Sequence, residues 1–467
     1  MVTYQDYLLI ADKAEDTVMD FCFNTINEYK SSSTYKTACD AELYDAHRNK
    51  TIVDYEKFIY SITGRKMPDI YSANYKLASN FFHRFIVQEN QYLLGNGVTW
   101  NDENTGEKLG DKFDATLQNI GHYALVDGVS YGFFDYDKLR AFKATELAPL
   151  YDEENGALMA CIRWWQIAPN KPLRATLYTV DGFMEMEKAD GKNTLLKPMS
   201  AYKTKIVGDA VDRIEGLETY EGENYPTFPI VPCWGNKQHQ SELVGMREQI
   251  DCYDLIKSGF ADTVDEASYI YWALHDTGGM QDVDLVKFVE RMKTMHAAVV
   301  QGDGAGAEAH SVEAPTESRE TLLDRLATDM YKDFMAFDTE KVANGAVTAT
   351  QIKSAYEPLS NKVDDYEYQI KEFLADILAI AGIDDEPTFT RSKIINVQEE
   401  INTILASAQY LPQEYVTTKI LTIMGDADKA EEILVQMENE EMNRYGTMGE
   451  ADTEQVLQDI QEDEGRA

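Results

Sequence analysis

From Ser72 to Leu94 the apolar positions Tyr75, Phe82, Phe85, Ile86, Tyr92 and Leu93 recur at helical intervals, and Gly95-Asn96-Gly97 follows them. That spacing puts them on one face of an α-helix, and glycine supplies the left-handed backbone in which helices commonly stop. Upstream, residues 1–64 read as acidic helix and loop, with a turn between helices at Ser31-Ser32-Ser33-Thr34. A second helix is expected from Asp114 to Leu125. The period then changes. Tyr131 to Tyr136, Ala157 to Trp165, Arg174 to Val180 and Gly182 to Met186 are strand-like, which predicts an antiparallel sheet. In Phe228-Pro229-Ile230-Val231-Pro232 two prolines without N–H donors confine the segment to a sheet edge or an extended connection.

Beyond Asn236 the pattern turns helical again, from Ser241 to about Asp265, a rod of roughly 37 Å at 1.5 Å per residue. A compact insert follows: a strand from Tyr269 to Leu274, a helix capped by Asp282 with Leu285, Val286, Val289 and Met292 on one face, and a strand from Ala297 to Gln301. Gly302 to Gly306 reads as a hairpin tip. A long helix, Thr316 to Phe337, then carries the stripe Leu322, Leu323, Leu326, Met330 and Phe334. Two long helices bracketing a small α/β insert predict an antiparallel stalk with a head. A loop, Asp338 to Thr350, precedes a further helix reaching toward Ile380. The last hundred residues read as mainly helical and increasingly acidic, and the stretch after Gly446 as a solvated tail. The fold class is α+β, in several subdomains, since 467 residues exceed one ordinary core.

Charge narrows the function. Against 43 Lys and Arg stand 82 Asp and Glu, a formal charge of -39, which repels a phosphate backbone. Basic residues interleaved with aromatics are missing as a cluster, so a sequence-reading DNA binder is not expected. Five scattered cysteines, Cys22, Cys39, Cys161, Cys233 and Cys252, form no C-x-x-C pair and suit a reducing cytosol. The start, Met1 to Glu15, has no secretory pattern, and no apolar run approaches the roughly 20 residues of a membrane helix.

Catalytic patterns fail on context. Gly128-Val129-Ser130-Tyr131-Gly132 fits G-x-S-x-G, yet a nucleophile elbow needs a strand before the serine and a helix after it, and here the order is reversed. Gly191-Lys192-Asn193 puts asparagine where a phosphate loop needs a hydroxyl, and Gly302-Asp303-Gly304-Ala305-Gly306 opens no helix. The histidines His47, His83, His122, His239, His275, His296 and His310 never fall four apart, so neither metal nor cofactor is expected. Acidic pairs such as Asp135 with Asp137 carry no signal in so acidic a chain.

With enzymes disfavoured, the order of elements carries the reading. Asn80 to Val87 followed by Tyr92-Leu93-Leu94-Gly95, then Leu147 to Asp152 and Ile162-Arg163-Trp164-Trp165, and above all Phe228 to Pro232 leading through Asn236 and Ser241-Glu242-Leu243 to Ile250-Asp251-Cys252-Tyr253-Asp254 and Ser258, resemble the portal proteins of tailed bacteriophages, of the siphophage type. The resemblance runs from near Ser72 to Leu411. It departs at Cys233-Trp234-Gly235, where the family is more aliphatic, and the first 70 residues match no pattern.

The resemblance implies a structural, non-enzymatic subunit of a ring, twelve-fold by expectation, at one capsid vertex. That ring is the conduit for double-stranded DNA packaging and ejection. It implies an antiparallel wing over 1–240, stem helices over 241–267 and 316–337, a clip over 268–315, a tunnel loop and following helix over 338–383, and a crown with an acidic tail over 384–467. Lys341, Asn344, Val347, Thr348 and Thr350 would face DNA in the channel. Asp282, Asp284, Lys287 and Glu290 of the clip would dock the terminase large subunit and the head-completion or adaptor proteins, and the wing would meet major capsid and scaffold proteins. The subunit would be assembled in the host cytoplasm and reside in the virion. Two other readings remain: a serine hydrolase using Ser130, and a non-portal phage scaffold or adaptor.

Overall fold

The computed structural model describes residues 2–60, 64–70, 72–135, 138–206, 220–267, 271–275, 306–310, 316–339, 349–392, 401, 404–424, 429–430 and 433–437. The chain forms two compact units, Met1–Asp338 with Tyr356–Ser392, and Thr339–Ala355 with Lys393–Ala467.

The first unit opens with helices α1 (Tyr4–Leu8), α2 (Glu15–Ser31), α3 (Ser33–Asp45) and α4 (Lys50–Val53). Ser32 separates α2 from α3 because its backbone is extended and its side chain accepts the Tyr35 N–H, which makes the serine run a turn as expected. A hairpin of β1 (Phe58–Tyr60) and β2 (Lys66–Pro68) follows. The helix expected from Ser72 begins only at Phe81: the described residues before it form neither helix nor strand, and α5 spans Phe81–Leu94. A short strand β3 (Val98–Thr99), α6 (Glu103–Leu109) and α7 (Phe113–Asp127) lead to Gly128, whose φ of 91° ends α7.

Two antiparallel sheets form the centre. Strands β4 (Val129–Asp135) and β5 (Lys138–Lys143) belong to one, and β6 (Leu147–Tyr151), β7 (Leu158–Trp165), β8 (Leu173–Thr179), β9 (Gly182–Ala189) and β10 (Lys192–Ser200) make the other as a meander. A separate ribbon joins β11 (Lys203–Ile206) to β12 (Tyr220–Glu223). Strand β13 (Ile230–Trp234) completes the three-stranded sheet in the order β13-β4-β5, so Pro232 lies on an edge strand, as its missing N–H requires. Side chains of β7 divide between two cores, alternating from Ala160 onward, while a register shift that skips Met159 turns Leu158 to the other side. Ala160, Ile162 and Trp164 meet Met19, Phe23 and Ile26 of α2. Leu158 and Cys161 pack with Tyr131, Phe133 and Ile230 of the smaller sheet.

Helix α8 (Arg247–Ala267) starts six residues after Ser241, because Ser241 to Met246 is a turn instead: the Ser241 Oγ accepts the Leu243 N–H at 3.1 Å and donates to the Val126 carbonyl. The expected head contains a two-stranded pairing of β14 (Tyr271–His275) with β15 (Gly306–His310). Gly306 is therefore strand rather than tip, while Ala297 to Gln301 and the helix capped by Asp282 lie outside the described residues. Helix α9 (Thr316–Asp333) ends before Phe337, where Met335 adopts φ 61° and Gln88 clamps Phe337 with two bonds of 2.9 Å to its N–H and carbonyl. Helices α8 and α9 are antiparallel, as predicted for a stalk. Gln249 donates to Asp333 at 2.6 Å and Arg319 to Thr263 at 2.6 Å, a separation of fourteen residues, about 21 Å, on each helix.

Helix α10 (Ala349–Ala381) buries Tyr356, Leu359, Val363, Tyr366, Ile370, Phe373 and Ile377, a stripe at alternating spacings of three and four residues. Two glycines let it close on its neighbours. A Cβ on Gly132 would stand 2.4 Å from the Phe373 ring, and one on Gly121 would stand 2.0 Å from the Tyr366 hydroxyl. Strand β16 (Thr388–Phe389) then pairs with β3. In the second unit α11 (Gln413–Met424) buries Val416.

Gly132→Ala is expected to lower stability by about 1–3 kcal/mol through overpacking against Phe373. Gly259→Ala, in a helical position with open space around it, should be neutral or stabilising by about 0.5–1 kcal/mol. Urea denaturation of both variants checks the pair.

Candidate functional site

Asp254, Ser258 and Asp262 are spaced four apart, which puts them on one face of α8. Opposite that face runs the extended segment before α5, in which alternate residues point their N–H groups the same way. The Asp254 carboxylate accepts from Ser79 N–H at 2.8 Å, Ser258 Oγ from Leu77 N–H at 3.0 Å, and the Asp262 carboxylate from Tyr75 N–H at 2.7 Å. Two extended residues advance about 6.6 Å and four helical residues about 6.0 Å, so helix and segment stay in step over three rungs. The helix side chains thus replace the missing partner strand. Asp254, Ser258 and Asp262 are 0%, 3% and 4% exposed, and a backbone N–H buried there needs these acceptors.

Basic and polar groups complete the seam. Lys57 sits 2.8 Å from the Asp262 carboxylate and donates to the Ala73 carbonyl. Asn49 donates to Asp254 and to the Ser79 carbonyl. One turn nearer the start of α8, Asp251 accepts from the Tyr44 hydroxyl and from Thr51 at 2.7 Å. Burial pushes the Asp254 carboxyl above the usual carboxylate range, against the pull of the bonds from Asn49 and Ser79.

A second joint ties the chain leading into α8 to α5, α9 and α10. Lys362 of α10 lies 2.9 Å from Glu89 of α5 and 2.7 Å from Glu242, with its ammonium 3.2 Å from the centre of the Phe334 ring. Burial pushes the Glu89 carboxyl up, while Lys362 pulls it back. Burial alone would lower Lys362, yet Glu89 and Glu242 hold it above its usual value and keep it charged. Tyr366, one turn on, donates to Asn90 at 2.8 Å. A cavity of about 570 Å³ opens beside the joint, lined by Asn236, Glu242, Met246, Asp333, Lys362 and Asp365 among others. The joint is an ionic clamp between helices.

The G-x-S-x-G stretch is accounted for by packing. Gly128 has φ 91° and would bring a Cβ within 2.7 Å of the Gln240 and Ser241 backbone, Ser130 is fully buried and donates to the Ile120 carbonyl at 2.7 Å, and Gly132 lies under Phe373. A helix precedes the serine and a strand follows it, as read from sequence. Lys341, Asn344, Val347 and Thr348, and likewise Asp282, Asp284, Lys287 and Glu290, lie outside the described residues; Thr350 falls in the first turn of α10. Local pattern alone predicts neither the seam nor the ionic joint. The Ile250-Asp251-Cys252-Tyr253-Asp254 and Ser258 spacing carried the signal for the seam, whereas a single lysine in a helix gave none for the joint.

Lys362→Met should cost about 3–5 kcal/mol, because it leaves two carboxylates without a countercharge, and adding Glu89→Gln should recover part of that loss. Lys237→Ala, removing a mostly exposed partner of Asp365, should change stability by less than about 0.5 kcal/mol. Chemical denaturation of the four proteins measures both effects.

Comparison with known proteins places this architecture. The family model described as phage portal protein, SPP1 Gp6-like, matches residues 40–443, a span that holds the seam and the joint. The portal protein of Bacillus phage SPP1 is 24% identical over 454 residues, covering 87% of this chain and 84% of that protein. The portal protein of Clostridium phage phiCD119 is 22% identical over 438 residues, covering 84% and 93%. Neither the hydrolase nor the scaffold reading is favoured by these relatives. With an antiparallel helix pair bonded along α8 to the segment before α5, and a family match over most of its length, the chain belongs to the SPP1 Gp6-like family of phage portal proteins.

Proposed function

We propose that copies of this chain close into a ring at one capsid vertex and that double-stranded DNA passes through the ring's axial channel during packaging and ejection. The observation that carries this reading is the α8 and α9 pair, antiparallel and held to the body by the buried seam, in a chain of the portal family. In the ring, α8 and α9 are the stem, residues 268–315 the clip, the region before them the wing, and residues 384–467 the crown. Across α8 and α9 the sequence holds eleven acidic against five basic residues, so the stem is net negative like the whole chain. Such a wall keeps adhesion and counterion release small, and a duplex can slide without being gripped.

The segment over 338–350, whose last two residues open α10, is the element that approaches DNA. Lys341, Asn344, Val347, Thr348 and Thr350 offer short neutral groups and a single cation, and Gly345 leaves backbone freedom among them. Clip residues Asp282, Asp284, Lys287 and Glu290 lie off the apolar stripe of their segment and meet the terminase large subunit during packaging and head-completion proteins afterwards. The wing meets capsid and scaffold proteins, and assembly takes place in the host cytoplasm. No helix among the described residues is long and apolar enough to cross a membrane.

Negative-stain microscopy of the purified chain tests the reading. Rings with a central hole are the expected images, and a population of closed monomers at micromolar concentration would contradict it. In a phage complementation assay, Lys341→Ala should leave rings intact while changing the amount of DNA packaged, whereas a loss of rings would place Lys341 in assembly instead.

A further inference from the structure

Three helices of the first unit bring together metal-ligating side chains that are remote in sequence. Asp45 is the last residue of α3, His83 lies in the first turn of α5, and His122 is in the second half of α7. Nδ1 of His83 lies 2.9 Å from one oxygen of Asp45, and Nε2 of His122 lies 2.9 Å from the other. One donor atom from each residue lies within 4.8 Å of the other two. The side chains are only partly exposed, at 23% for Asp45, 38% for His83 and 20% for His122.

We propose that Asp45, His83 and His122 form a binding site for a divalent ion of the zinc class, which staples α3, α5 and α7 together. Two imidazoles and one carboxylate suit zinc, cobalt or nickel better than magnesium or calcium, which favour oxygen ligands. Zinc holds nitrogen and oxygen at about 2.0–2.2 Å, so neighbouring ligand atoms of a tetrahedral ion stand about 3.3 Å apart. With one Asp45 oxygen as ligand, the nitrogen now bonded to that oxygen needs to move away by only a few tenths of an ångström, whereas the other imidazole, bonded to the second oxygen, must swing in from within 4.8 Å. Each near nitrogen now donates its proton to the carboxylate. On ion binding that proton moves to the far nitrogen of the same neutral ring, and the near nitrogen offers its lone pair, with no oxidation or reduction.

A fourth position is open. Asp45 and His122 line a cavity of about 490 Å³ with Cys39, Glu42, Asp127 and Lys143, large enough for water to complete a tetrahedron. One oxygen of the buried Asp127 carboxylate has no hydrogen-bond partner and is available to an ordered water there. The ion would also stiffen the seam, because Tyr44, which donates to Asp251 of α8, precedes Asp45 directly.

The test is a cobalt titration of the metal-stripped full-length chain. One ion per chain should bind, with the ligand-field absorption of a four-coordinate site and no thiolate charge-transfer band, and zinc should displace it. Loss of an outer-shell partner typically weakens a metal site about 10–100-fold, so His83→Gln and His122→Gln should each weaken cobalt binding by more than about 100-fold. Zinc should raise the thermal midpoint of the wild-type chain and leave that of the variants unchanged. Absence of binding at micromolar cobalt, a thiolate band, or undiminished binding by both variants would overturn the proposal. Should the variants fail to fold, X-ray absorption of the zinc-loaded wild type decides: scattering from two imidazoles supports the site, and a shell without imidazole removes it.

Discussion

A helix that must project from a body can be held there by apolar packing alone, or by bonds that fix its rotation as well as its position. Here the second device is used. Asp254, Ser258 and Asp262 are buried polar groups on α8, and each has its acceptor filled by a backbone N–H of the segment before α5. A slip of one residue along α8 would leave three buried donors and two carboxylates unmatched, each at a cost of about 1–3 kcal/mol or more. The register of α8 is therefore specified in a way that leucine packing would not achieve.

The ionic joint fixes a different degree of freedom. Lys362 gathers carboxylates from α5 and from the turn before α8, under the Phe334 ring at the end of α9. It follows that the start of α8 and the end of α9, the two chain ends at the base of the pair, are referenced to the same ammonium. A buried ion pair need not add net stability, but removing one partner is costly, and such groups can select one arrangement over near alternatives. Glycines do the complementary work: Gly121 and Gly132 permit α10 to approach α7 and β4 closely enough for Tyr366 and Phe373 to seat.

Much of the architecture was legible from pattern. The strands from Tyr131 to Met186, the glycine stop after Leu94, the edge proline Pro232 and the antiparallel stalk all follow from local periodicity and turn chemistry. What failed is instructive. Local spacing predicts helix over Ser72 to Asn80, yet the N–H groups of Tyr75, Leu77 and Ser79 are taken by side chains of a helix more than 170 residues away, a tertiary contact that spacing does not encode. Helix α8 starts later than its pattern predicts because Ser241, a good helix-capping residue, instead bonds to Val126 and Leu243 within a turn. The Asp45, His83 and His122 cluster is invisible to spacing rules, since 38 and 77 residues separate Asp45 from its two partners.

The account rests on α8 being held along its length by the seam, and on α8 and α9 facing a common axis in the assembly. A cryo-electron microscopy reconstruction of the assembled particle measures this directly. It should show the two helices of every subunit lining the central channel, with Lys362 at their base and the seam from Asp254 to Asp262 on the side of α8 away from the channel. A map in which α8 and α9 point away from the axis, or in which no channel passes between subunits, would contradict it.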